Sequence, residues 1–378
     1  MIQSPGILLT LLAFAIVIGS LVTLHELGHY LAGRWFGVKA EAFSFGFGRE
    51  IAGFTDRRGT RWKLSMLPLG GYVRFAGDMN PASQPDPEWM SLPPEERAQT
   101  FQAKPLWQRA IIVAAGPIAN FLIAIVILGT FAAIYGDATV PPVVGSVVQG
   151  SAADKAGLKS GDRITAMGGR AVDGFNDMAA FTAVRAGAPV RIDYVRDGQS
   201  ASAETVIGTD LFKDRFGNQV RRGLLGIGPS TQVIRTPVAW WQAPWAGVER
   251  TWNILGMMVD GLGQMIMGRV PVNELGGPLR IAKMSGESLA LGPDEFIGFI
   301  ALISINLGFI NLLPVPVADG GHLLFYGIEA IRRRPIEPRV MNLAFNGGLL
   351  AILALFLLVT INDLGAFGVW RNLAGLIG

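Results

Sequence analysis

The chain has 378 residues, 50% of them hydrophobic and only 16% charged, against roughly a quarter charged in soluble domains. With a mean hydropathy of +0.39, that balance indicates a membrane protein with room for two or more domains. The net charge is only +3, so no nucleic-acid surface is implied, and the lack of cysteine excludes disulfides and cysteine-ligated zinc.

Four stretches are long and apolar enough to cross a bilayer, which takes about 20 residues. They are approximately Gly6 to Tyr30, Ala110 to Tyr135, Phe296 to Val317 and Leu343 to Ile361. The first lacks a basic leader and is too long for an ordinary signal-peptide core, so cleavage after it is not expected. It carries no charge from Gly6 to Leu24 and then reads His25-Glu26-Leu27-Gly28-His29. On a helix, positions i and i+4 share a face. His25 and His29 can therefore hold one metal ion while Glu26 stays free to handle a proton. Ionisable groups at such depth are costly and are functional by default. The whole chain has three histidines. The third, His322, comes after another apolar run.

Between the first two spans, Phe43 to Ile51 and Thr60 to Phe75 partly alternate apolar and polar residues. Gly53, Gly59 and Gly70-Gly71 break them, which predicts short β-hairpins. The stretch from Ser65 to Val73 is too apolar for a solvent loop, and such backbone enters a membrane only under protein cover or along a cavity. Asn80 to Glu96, rich in proline and acids, reads as an exposed loop. From about Val140 to Pro229 the composition is that of a small soluble domain. Its Gly150-to-Ile164 segment, with Ala156-Gly157-Leu158-Lys159-Ser160-Gly161-Asp162 at its heart, resembles the strand, turn and helix of bacterial PDZ domains. Val190 to Val195, Ala203 to Ile207 and Gly223 to Ile227 fit further strands. Such domains take extended peptides by adding a strand to a sheet edge. Thr251 to Met267 is a fifth candidate span, but its interruption by Asp260 and several glycines and the preceding Trp240, Trp241 and Trp245 favour an interfacial helix over a membrane-inserted one.

Lys and Arg near short loops stay cytoplasmic. Eleven lie between the first two spans, and Arg332, Arg333, Arg334 and Arg339 come after the third, whereas the tail after Ile361 has only Arg371. Both termini are therefore expected outside. The first and third spans then both run inward, bringing the histidines and Asp319 to the same, cytoplasmic, end.

Catalytic zinc usually takes three protein ligands and keeps a fourth position open. A third histidine at metzincin spacing is absent, since Ala32 and Trp35 stand there. The best remaining donor is Asp319, and Pro314 and Pro316 just before it break the helix and free carbonyls near Asn311. Zinc would lower the pKa of water, and Glu26 would accept its proton during attack on a peptide carbonyl. A helical substrate must first be unwound, and a strand edge at Gly71-Tyr72-Val73 could hold it extended.

Together HELGH, Pro68-Leu69-Gly70-Gly71-Tyr72-Val73, Gly116-Pro117-Ile118-Ala119-Asn120, the AGLxxGD region and the run from Asn311 to His322 resemble the site-2 protease family, in its bacterial regulator-of-sigma-E type. The resemblance spans nearly the whole chain, in the family's order. It implies an intramembrane zinc metalloprotease with His25, His29 and Asp319 as Zn2+ ligands and Glu26 as base. It implies a membrane-associated β element near Gly71 to Val73 and a substrate contact at Asn311. Pro314 and Pro316 join the candidate substrate-binding residues. Relatives of this kind cut single-span membrane proteins, often anti-sigma factors, after another protease has trimmed them. The chain departs from the pattern in having Ala318 where leucine is usual, which predicts weaker local packing, and in having one PDZ-like domain instead of two.

The expected architecture is a polytopic α-helical membrane protein of about four transmembrane helices, with a cytoplasmic or membrane-associated β-hairpin region and an inserted extracytoplasmic α+β PDZ-like domain. Its segments are 1–135, 138–232 for the PDZ-like domain, 233–295 for the interfacial helix and connection, and 296–378. The expected place is the bacterial inner membrane, with the lipid bilayer and pre-trimmed single-span substrates as partners. A competing expectation is a catalytically silent adaptor that binds extracytoplasmic tails through its PDZ-like domain. Another is a membrane-anchored protease acting on soluble peptides. The free Glu26 and the three-ligand count speak against the adaptor, since structural zinc is usually closed by four ligands.

Overall fold

The computed structural model describes residues 6–77, 91–183, 185–213, 219–230, 234–266, 276–334 and 336–366. The chain divides into two compact units, Met1–Gly129 with Pro244–Gly378, and Thr130–Ala243.

The first unit begins with helix α1 (Ile7–Trp35). It runs past the expected end at Tyr30 because nothing before Gly37 breaks it. Gly37 takes the left-handed conformation, φ 72°, and the Val38 N–H then bonds back to the Gly33 carbonyl at 2.8 Å. His25 and His29 thus sit inside a continuous helix, with their backbone groups already satisfied, and not at its end.

Strands β1 (Ala40–Thr55) and β2 (Arg61–Phe75) replace the expected series of short hairpins. The connecting turn is tied by Asp56, whose Oδ1 accepts from the N–H groups of Arg58 and Thr60 at 2.8 and 3.0 Å. Register breaks fold the pair on itself: Phe43 lies opposite both Val73 and Trp62, and Phe45 opposite both Gly71 and Leu64. The first half of β1 is therefore flanked by both halves of β2, and Gly71 to Phe75 forms an outer edge. Tyr30, Phe43, Val73, Phe75 and Ile112 bury one another there. Of the expected loop from Asn80 to Glu96, residues 80–90 lie outside the described residues. Beyond them come the single turn α2 (Pro94–Arg97) and then α3 (Leu106–Tyr135), which continues through Pro117.

In the second unit the elements are β3 (Asp137–Thr139), β4 (Val144–Val147), α4 (Ala152–Lys155), β5 (Arg163–Met167), β6 (Arg170–Ala171), α5 (Phe175–Ala183), β7 (Pro189–Arg196), β8 (Gln199–Val206), β9 (Gly208–Lys213), β10 (Gln219–Leu224), β11 (Ile227–Pro229) and β12 (Ile234–Thr236). A four-stranded antiparallel sheet, β6-β5-β7-β8, packs Ile164, Met167 and Ile192 against Met178 of α5. Asp197 and Gly198 both have positive φ, 50° and 79°, as a two-residue hairpin turn between β7 and β8 requires. The single closing strand expected from Gly223 to Ile227 is interrupted. Gly226 turns the backbone at φ 80°, and the chain changes partner from β9 to β4. Pairing of β12 with β3 carries the unit beyond the expected 138–232. Asp162, 1% exposed, receives two N–H donors of Arg196, both at 2.6 Å. Burial pushes its carboxyl up, but the guanidinium and the Lys159 N–H outweigh that and hold it below the usual carboxylate range.

The chain returns to the first unit with α6 (Ala243–Ile266), α7 (Pro278–Leu291), α8 (Pro293–Leu312), α9 (Asp319–Arg332) and α10 (Pro338–Ala366). Among the described residues, α1, α3, α8 and α10 are the four helices long and apolar enough to cross a membrane. The third span ends at Leu312, short of the expected Val317. Leu313 precedes Pro314 and adopts extended backbone, φ −62° and ψ 142°, as a residue before proline is driven to do. Helix α6 contains the expected Thr251-to-Met267 helix except Met267, which lies outside the described residues, as does Arg371. Trp240, Trp241 and Trp245 are exposed. Ile254, Leu255 and Met258 pack with Ala124, Ala301 and Ile305, so α6 shares a core with α3 and α8 instead of lying apart. Helix α7 is an element beyond those expected. It lays Ile281 and Leu289 against Ala13, Val17 and Leu21 of α1. Asp363 of α10 accepts from Gly277 N–H and Arg280 N–H at 3.3 and 3.1 Å, satisfying donors that a helix start leaves free.

Candidate metal centre

Within HELGH, His25, Gly28 and His29 lie on the face of α1 that meets α3. One helical turn apart, the two imidazoles bring their Nε2 atoms to 3.2 Å. The α3 backbone passes so close that any side chain at Gly116 would run into both of these nitrogens. Only glycine leaves the space in front of them open. His29 Nδ1 lies 2.8 Å from the carbonyl oxygen of Ile112. That oxygen can only accept, so Nδ1 carries the proton and Nε2 keeps a lone pair. Asp319 enters from the first turn of α9, its Oδ2 lying 3.1 Å from His25 Nε2 and 3.5 Å from His29 Nε2. One donor atom from each of the three residues falls within 4.8 Å of the others. Two imidazole nitrogens and one carboxylate oxygen converging on a point are a set that suits Zn2+ with one position left open. The residues present fit the metal.

Glu26 stays outside this set, and its Oε2 accepts the backbone N–H of Val73 at 3.0 Å. The outer segment of β2 is therefore fixed to the helix that carries the histidines. A cavity of about 310 Å³ opens here, lined among others by His25, Glu26, His29, Val73, Asn311 and Asp319. Of the candidate substrate-binding residues, Val73 and Asn311 line it. Gly71 and Tyr72 do not, and Tyr72 stacks on Phe47. Pro314 and Pro316 also lie off the cavity, with Pro316 packed at Gly348 of α10. Their part is to end α8 and let α9 start at Asp319. Ala318 lines the cavity as the residue before that helix.

Three features of the site are given no role by sequence reasoning. The Ile112 carbonyl is backbone. Asn120, fully buried, sets its side-chain amide 3.2 Å from His25 Nδ1. His322, visible as the third histidine, lies on the cavity wall and packs on Phe345.

The model for Peptidase family M50 matches residues 13–355. A protein of Agrobacterium fabrum, provisionally named a zinc metalloprotease, is 43% identical over 93% of this chain and 95% of its own. One from Rhizobium meliloti, named in the same way, is 42% identical over 94% and 96%. Metalloprotease MmpA of Caulobacter vibrioides is 35% identical over 98% and 99%. The crystal structure of the PDZ domain of an SdrC-like protein from Listeria monocytogenes covers 24% of this chain and 87% of its own, at 23% identity and a TM-score of 0.19.

Proposed function

This chain belongs to Peptidase family M50; it is a multi-pass membrane protein and a zinc-dependent metalloprotease, and we propose that it cuts single-span membrane proteins within their membrane segments. The observation that carries this reading is the convergence of His25, His29 and Asp319 beside a free Glu26, in a cavity walled by α1, α3 and α8.

His25, His29 and Asp319 would hold the zinc, which when bound lowers the pKa of water and polarises a carbonyl. Glu26 takes the proton of the attacking water and returns it to the leaving amine. The Val73 N–H fixes the Glu26 carboxylate in position for both transfers. Asn311, which lines the same cavity, is placed to bond substrate backbone, and the outer edge of β2 holds the unwound segment extended.

On this reading the chain sits in the bacterial inner membrane, and its charge distribution supports both termini outside and the metal centre toward the cytoplasm. The absence of native cysteine makes that reading testable by labelling. A cysteine introduced at Asp197 should react with an impermeant thiol reagent in intact cells, and one at Arg333 should not. The opposite pattern would invert the topology.

The physiological substrates on this reading are single-span proteins, such as anti-sigma factors, already trimmed outside by another protease. The inserted second unit acts as a size filter. Deleting Val143 to Pro229 with a flexible bridge should allow cleavage of an untrimmed, tagged single-span substrate, with the cut mapped by mass spectrometry inside its apolar segment. If the deletion leaves the long substrate uncut and slows only the trimmed one, the unit is a tail receptor instead. Cuts confined to soluble loops would refute the intramembrane reading.

A further inference from the structure

We propose that Asn120 is a positioning residue for the metal, its side-chain oxygen accepting the Nδ1–H of His25 so that Nε2 is held unprotonated and aimed at the zinc. The inference rests on His25, His29 and Asp319 being the ligands.

Each ring needs a particular tautomer. A histidine that binds metal through Nε2 is neutral and must carry its proton on Nδ1, and that proton requires an acceptor. For His29 the acceptor is the Ile112 carbonyl at 2.8 Å. For His25 the neighbour at Nδ1 is the Asn120 side chain, with Nδ2 at 3.2 Å. An amide nitrogen offers only donors, so in that orientation His25 would have to accept at Nδ1 and carry its proton on Nε2, where the metal belongs. A half-turn of the amide exchanges the two ends, which have nearly the same shape. It brings to His25 an Oδ1 that is buried and otherwise has no hydrogen-bond partner. The orphaned oxygen and the proton in need of an acceptor answer each other.

Asn120 is well placed for this task. It is 0% exposed, so no water competes for its amide. Its backbone carbonyl accepts the buried Ser304 hydroxyl at 2.8 Å, which ties this turn of α3 to α8. It also lies one helical turn beyond Gly116, the residue that opens space before the imidazoles. The Gly116-to-Asn120 motif thus acquires a role at each end: clearance at Gly116 and ring orientation at Asn120. The two histidines differ in one respect that helps a test. No side-chain substitution can remove the backbone acceptor of His29, whereas the acceptor of His25 is a single side chain.

The test is zinc affinity of the full-length protein in detergent, read by competition with a chromophoric chelator. Asn120→Leu keeps the volume and removes the acceptor, while Asn120→Asp keeps an acceptor that needs no half-turn. Removing an outer partner of a metal-bound histidine typically weakens binding about 10–100-fold. That loss is expected for Asn120→Leu, with metal-free thermal stability close to wild type, and Asn120→Asp should restore affinity to within several-fold. Should Asn120→Leu not fold, Asn120→Ala takes its place in the comparison. Wild-type affinity in the apolar variant overturns the proposal, as does equal weakening in the aspartate variant, which would mark a packing role. Asp319→Ala measured in parallel keeps the two readings apart. If it retains zinc, the ligand assignment itself has failed. If it loses zinc while the Asn120 variants do not, only the positioning role has.

Discussion

Glu26→Gln is expected to stop cleavage while the protein keeps its zinc. Glutamine has the same length and shape, and its side-chain oxygen can still accept the Val73 N–H that now meets Glu26 Oε2 at 3.0 Å. It lacks a group that takes up a proton near neutral pH. A positioned general base typically contributes 10²–10⁴-fold, so turnover should fall by about that factor or drop below detection. Zinc content should be unchanged, because Glu26 lies outside the cluster of donor atoms formed by His25, His29 and Asp319. Two measurements on one preparation decide the matter: cleavage of a purified single-span substrate, and metal by elemental analysis. A variant that retains more than about a tenth of wild-type turnover excludes Glu26 as the base on that scale. A variant that loses its zinc instead makes Glu26 a ligand or a structural support for one.

The chemistry of the site is legible in the sequence because it contrasts so sharply with its surroundings. HELGH comes after nineteen uncharged residues, from Gly6 to Leu24, and in an apolar helix the i, i+4 spacing fixes which side chains meet. Asp319 is legible for a related reason: an acid just beyond a proline-broken apolar run has few other uses. The boundaries are less legible. The drop in hydropathy after Val317 suggests a longer third span, whereas the local effect of Pro314 on Leu313 decides where the helix stops. Long-range register is not legible at all. That β1 lies between two halves of β2 depends on breaks at several points, and no local pattern announces the resulting order. Helix α7 is hidden because its polar half masks a short apolar stripe that matters only once α1 lies against it. Asn120 belongs to a motif that is easily seen, yet its task is not, since its partner His25 lies 95 positions away.

Loss of zinc from Asp319→Ala is the sharper test of the metal centre. His25 and His29 come from one helix and would stay together through almost any rearrangement of the rest. Asp319 reaches them from α9, across the turn that Pro314 and Pro316 create, so its place in the site depends on the tertiary fold. Two imidazoles alone leave zinc one protein ligand short of an ordinary catalytic site. Zinc affinity should therefore fall by more than the roughly 10–100-fold that loss of an outer partner costs. The substitution also removes an acid from the first turn of α9. That contribution is about 0.3–1 kcal/mol at most exposed helix starts, far too small to unfold the unit and lose the metal indirectly. Thermal unfolding with and without added zinc separates the two effects, since a ligand stabilises only the state that binds it. The wild type should gain stability on zinc addition, and Asp319→Ala should gain almost none while unfolding near the wild-type temperature in chelator. If the variant instead keeps normal zinc content and the same zinc-induced gain, the third ligand must be another group on the cavity wall. His322, one turn further along α9 and lining the same space, is then the first residue to replace.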